Sequence, residues 1–64
     1  MEKKLKIGQK VINPDVSSQS PNFIGLVIEI NTYFVDDKFI DFAWVKFRDY
    51  EGGFSFNILR KFKN

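Results

Sequence analysis

The stretch "FIGLVIEINTYFVDDKFIDFAWVKF", Phe23 to Phe47, decides the fold. It is rich in β-branched and aromatic residues, lacks helical periodicity, and is broken by an aspartate pair, Asp36-Asp37. Such residues fit a pleated, half-buried surface, and paired aspartates between two such runs favour a turn. The sequence therefore predicts a long hairpin. Its first arm is "FIGLVIEI", extending to Val35, and its return arm is "FIDFAWVKF" from Phe39. Gly25 near the start of the first arm predicts a bulge or a close backbone approach.

"LKIGQKVI" is expected to be a first strand, with Leu5, Ile7 and Val11 inward and a bend at Gly8. "NPDVSSQSPN", Asn13 to Asn22, is a polar loop held open by Pro14 and Pro21. "DYEGG" is expected to turn on its paired glycines, and "FSFN" forms a fourth strand. "NILRKF" reads as one 3₁₀ turn capped by Asn57, followed by a last strand at Lys61–Lys63. The expectation is one all-β domain spanning residues 1–64: a small, strongly bent barrel of five strands. Closing such a sheet hides strand edges that otherwise invite unwanted pairing.

Composition limits what can stabilise this domain. A chain of 64 residues buries only about 60% of its unfolded surface. It has no cysteine and no histidine, so disulfides, thiolate metal sites and imidazole chemistry are excluded. Dense aromatic packing is the remaining route, and 17% of the residues are aromatic. The basic start "MEKKLKIGQKV" is followed by no apolar signal core. The longest apolar run, "FIGLVI", is far short of the roughly 20 residues that cross a bilayer. A soluble, cytoplasmic protein without membrane insertion or cofactor is expected.

Seven of the eleven aromatic residues lie between Phe39 and Phe56. Strand alternation sorts them. Val45 and Phe47 share the odd face, with Phe39, Asp41 and Ala43, and are expected to point inward. Phe42 and Trp44 share the even face with Ile40, Lys46 and Arg48. In the next strand Phe54 and Phe56 lie on one side, with Ser55 and Asn57 on the other. Trp44 is either packed or part of an outward aromatic–basic face.

"KIGQKV", "GLVIEI", "AWVKF", "GGFSF" and "NILRKF" together resemble an SH3-like barrel. The likeness is to Tudor-like and KOW-type modules and to the small SH3-like subunits of photosynthetic electron-transfer complexes. Gly25, Val27 and Ile30 match a G-x-V-x-x-I strand, Val45 and Phe47 a V-x-F strand, and Leu59 a terminal anchor. The resemblance implies a barrel and a binding role. Peptide-binding SH3 domains carry an acidic, tyrosine-rich early loop, which "NPDVSSQSPN" lacks, so Pro-rich ligands are not implied.

Two functions follow as expectations. The first is a non-catalytic module docking onto a larger protein complex, with Tyr33, Phe34, Trp44 and Tyr50 as partner-binding residues. The second is nucleic-acid binding. There Trp44 stacks on bases while Lys46 and Arg48 contact phosphates, and Lys4, Lys6, Arg60, Lys61 and Lys63 extend the footprint if the termini meet. Lys3 and Lys10 belong to the same basic ends. An open barrel edge would also permit a dimer. The acid cluster Asp36, Asp37 and Asp41 lacks the Gly and terminal Glu of a calcium loop and reads as a solvated hairpin tip. Ser17, Ser18 and Ser20 have no histidine to activate them, and no enzymatic activity is expected.

Overall fold

The computed structural model describes residues 4–63. Five strands form one antiparallel sheet: β1 (Lys10–Ile12), β2 (Ile24–Val35), β3 (Lys38–Lys46), β4 (Glu51–Ser55) and β5 (Arg60–Lys61). Their order across the sheet is β4-β3-β2-β1-β5. The described residues contain no helix. Among the described residues the sheet is not closed, and β4 and β5 are the outermost strands in its order.

β2 does two jobs along its length. Its first residues pair with β1, Lys10 opposite Leu26 and Ile12 opposite Ile24. From Leu26 to Val35 it pairs with β3. The β2–β3 register slips between Val27 and Glu29, which makes Ile28 a bulge residue. A bulge bends its strand and strengthens the local twist, so the sheet folds over its own inner face. That face holds the core: Leu5, Val11, Val27, Ala43, Val45, Phe47, Phe54, Phe56 and Leu59, with Ile30 packed against its margin. Phe47 meets Phe54 edge-on, ring centroids 5.8 Å apart.

Gly25 shows why a side chain is missing there. A β-carbon at this position would lie 2.3 Å from Val45 Cγ1 and 2.5 Å from the Phe47 ring. The close approach expected at Gly25 is therefore present, while the bulge sits three residues later.

Several local features also differ from the sequence reading. Ile7 is not inward but 66% exposed. The chain turns at Ile7-Gly8, where Gly8 has φ 92° and the Gln9 N–H donates to the Lys6 carbonyl. The regular alternation assumed from Leu5 to Val11 is thereby broken, and β1 is confined to Lys10–Ile12. Gly52 and Gly53 do not make the turn; they lie inside β4. The reversal is made one step earlier, by the Phe47 N–H donating to the Tyr50 carbonyl. At the turn after β4, Ile58 N–H donates to the Ser55 carbonyl. The side chain reaching into it is Ser55, whose Oγ accepts from the Asn57 N–H, rather than Asn57 itself. The last strand is Arg60–Lys61 instead of Lys61–Lys63.

Candidate docking surface

The expected turn at Asp36-Asp37 is present and tight. Val35 pairs directly with Lys38, so the loop has two residues, with φ 49° at Asp36 and 64° at Asp37. Two successive left-handed residues define the turn whose twist matches a hairpin, and aspartate tolerates that region better than most residues. The hairpin then runs well past the core. Beyond Ile30 and its partner Ala43 there are five more residues of β2, about 17 Å at strand spacing. The molecule is correspondingly elongated, 38 × 24 × 19 Å.

This projecting half exposes apolar residues on both faces. On the face continuous with the core, Phe34 lies opposite Phe39. Their rings meet edge-on at 5.0 Å yet stay 63% and 75% exposed. On the other face Tyr33 lies opposite Ile40 and packs edge-on against Phe42 at 5.4 Å. Val35 is exposed as well. The flanking polar groups are Thr32, whose hydroxyl donates to Asp41, and the turn carboxylates.

Trp44 lies on the outer face and is 41% exposed. It stands opposite Gly53, where an added β-carbon would meet its ring at 3.1 Å. The indole thus lies over the glycine backbone, and its Nε1 donates to Glu51 at 2.7 Å. It is both packed and outward-facing. Lys46 and Arg48 are exposed near it, but acids surround the group. Glu29 stands opposite Trp44, Glu51 opposite Lys46, and Asp49 lies 4.0 Å from Arg48.

Tyr50 has an internal partner. Asn13 is 1% exposed, and its Nδ2 donates to the Tyr50 hydroxyl at 2.7 Å and to the Asn22 carbonyl at 3.1 Å. Its Oδ1 accepts from the Asp15 N–H. The Tyr50 ring leans on Phe47, centroids 5.0 Å apart. This network pins the polar loop to the β3–β4 turn, which Asn22 and Asp49 also join by two hydrogen bonds.

Within the described residues the two basic segments do meet. β5 pairs with β1, Lys61 opposite Val11 and Arg60 opposite Ile12, and the Phe62 N–H donates to the Lys10 carbonyl. Lys4, Lys6, Lys10, Arg60, Lys61 and Lys63 are all exposed, and no acid occurs within residues 4–12 or 58–63. A cleft lined by Lys6, Ile7, Gly8, Gln9, Lys10 and Phe62 lies in this region. Lys3 lies outside the described residues. The sequence reading missed Val35 and Phe39 as exposed groups. The signal was the length of the hairpin against the small number of residues available to cover it.

Comparison of the chain with protein-family models, with curated proteins and with solved structures found no significant match. No helix of the described residues is long and apolar enough to cross a membrane.

Proposed function

We propose that the chain is a non-catalytic binding module that docks onto a larger protein complex through the projecting β2–β3 hairpin. One observation carries this reading: Tyr33, Phe34, Val35 and Phe39 are exposed together on an element extending past the core. Exposed apolar groups gathered in one place mark interaction sites, and aromatic side chains dominate interface energetics. Trp44 borders the surface. Tyr50 contributes an exposed ring edge while its hydroxyl is held internally. The strand order and the bulge in β2 are in keeping with an SH3-like barrel, with the turn after β4 in the place of its 3₁₀ turn. The test is quantitative capture from cell extract with the wild type and with Tyr33→Ala/Phe34→Ser. Proteins retained by the wild type should be lost by the variant, whose melting temperature should be nearly unchanged. Equal capture by a folded variant refutes the reading.

The second reading, nucleic-acid binding, is favoured by the acid-free basic region at β1 and β5. It shifts the footprint away from Trp44, where Glu29 and Glu51 would repel phosphates. A single-stranded oligonucleotide should then perturb the amides around Lys6, Lys10, Arg60 and Lys61, with affinity falling steeply as salt rises. Perturbations centred on Trp44, or none at low salt, would remove it.

A further inference from the structure

The two-residue turn fixes which backbone groups of β2 are spent. It makes Val35 and Lys38 a hydrogen-bonded pair, and alternation repeats that pattern at every second position. The N–H and C=O groups of Ile30, Thr32 and Phe34 therefore point away from β3. On that side β1 pairs only with Ile24 to Leu26, and Val27 is closed off by Gly8 and Gln9. From Ile28 to Val35 the edge has no strand partner among the described residues. Edge strands are normally protected by lysine, proline or an inward charge. The segment "EINTYFV", Glu29 to Val35, has no lysine and no proline, and Glu29 is its one charge. The matching edge of β3 is shorter, because the Asp41 carbonyl already accepts from the Phe56 N–H.

We infer that this edge of β2 pairs with the same edge of a second copy of the chain, antiparallel, about a twofold axis at Thr32. The inference rests on the reading of the hairpin as the binding element. Three features of the register fit one another. Ile30 comes opposite the partner's Phe34, so the apolar inner face of each subunit continues across the axis. Thr32 faces the partner's Thr32, a favourable cross-strand pair. The partner's Asp36 and Asp37 come opposite Ile28 and Val27, where the segment from Lys6 to Lys10 closes the edge. The acidic tip of each copy thus reaches the basic end of the other. The free run of edge also stops at Val27, where the partner's turn reverses the chain.

Such a contact is below the size of a standard interface, so a dissociation constant of about 10–500 μM is expected. Sedimentation equilibrium of the full chain up to about 1 mM tests it across that range. The mass of the wild type should rise from 7.5 kDa toward twice that value, and association should weaken at least about fivefold between low and high salt, through screening of the tip contacts. Thr32→Lys should remain monomeric, because it sets two cations against each other on the axis. It should still fold, since position 32 lies opposite Asp41. Asp36→Asn/Asp37→Gly suits the turn and removes the tip charge, so it should fold well and associate more weakly. Amide exchange at Ile30, Thr32 and Phe34 should slow with concentration. A wild type that stays monomeric, or a Thr32→Lys variant that associates equally, overturns the inference. If the wild type is monomeric and capture still depends on Tyr33 and Phe34, only the dimer is lost and the docking reading stands.

Discussion

Tyr50→Phe separates a structural role from a binding role at one residue. The change removes a hydroxyl 2.7 Å from Asn13 Nδ2 and leaves the ring against Phe47. Asn13 is 1% exposed and keeps its bond to the Asn22 carbonyl, so one amide N–H loses its partner. Leaving a buried donor unpaired costs about 1–3 kcal/mol. Tyr50 itself is 42% exposed, so water can approach the gap, and the lower end of that range applies, about 1–1.5 kcal/mol. A domain of this size has a total stability of about 3–10 kcal/mol, and each kcal/mol moves its melting temperature by about 4–8 °C. Thermal unfolding followed by circular dichroism should therefore show a fall of about 4–12 °C. Asn13→Ala should cost more, since three side-chain hydrogen bonds go with it. The double variant should cost less than the sum. A fall of under about 1 °C for Tyr50→Phe would mean that the bond stabilises nothing.

Three other variants probe the scaffold. Gly25→Ala forces a β-carbon to within 2.3 Å of Val45 Cγ1 and should cost about 1–3 kcal/mol in denaturant unfolding, the usual range for overpacking. Asp36→Asn/Asp37→Gly installs residues better suited to two left-handed positions and should raise the denaturation midpoint by about 0.5–1 kcal/mol equivalent. Gly53→Ala presses on the Trp44 ring, 3.1 Å from the new carbon. Since Trp44 is the sole tryptophan, its emission should shift to the red as the indole is lifted off the backbone.

What could be read in advance was local. Alternation over "FAWVKF" placed Val45 and Phe47 inward, and both are buried; the paired aspartates marked the turn, and they make it. Where the reading failed, a second residue far along the chain or a backbone detail decided the outcome. The bend expected at Gly8 is there, but it throws Ile7 outward, and a strand pattern running unbroken through "LKIGQKVI" does not carry that consequence. Gly52 and Gly53 suggest a turn by type, but Gly53 is small because Trp44 lies over it. Tyr50 looks like a surface aromatic until it is seen to hold Asn13, 37 positions away. The aromatic excess of the sequence thus divides into core, spacer and surface groups, and composition alone cannot apportion it.

The division of the hairpin is itself testable, because the core ends at Ile30 and Ala43. Asn31 and Phe42 form the next pair, and by the alternation set at the turn they are hydrogen-bonded to each other, the geometry a two-residue turn requires. Replacing residues 32–41 by Asn-Gly should therefore give a shorter hairpin on an intact scaffold. The Thr32–Asp41 and Phe34–Phe39 contacts leave with the segment itself. The described contacts it makes with the remaining scaffold, beyond the strand ladder, are the bond from the Phe56 N–H to the Asp41 carbonyl and the Tyr33–Phe42 contact. Together they are worth about 1–2 kcal/mol, offset in part by a more favourable turn. If the distal half serves binding, the shortened chain folds with nearly native stability while both partner capture and self-association disappear. If it unfolds, Tyr33, Phe34 and Phe39 support the core at a distance, and their exposure is a cost of folding rather than a surface kept for a partner.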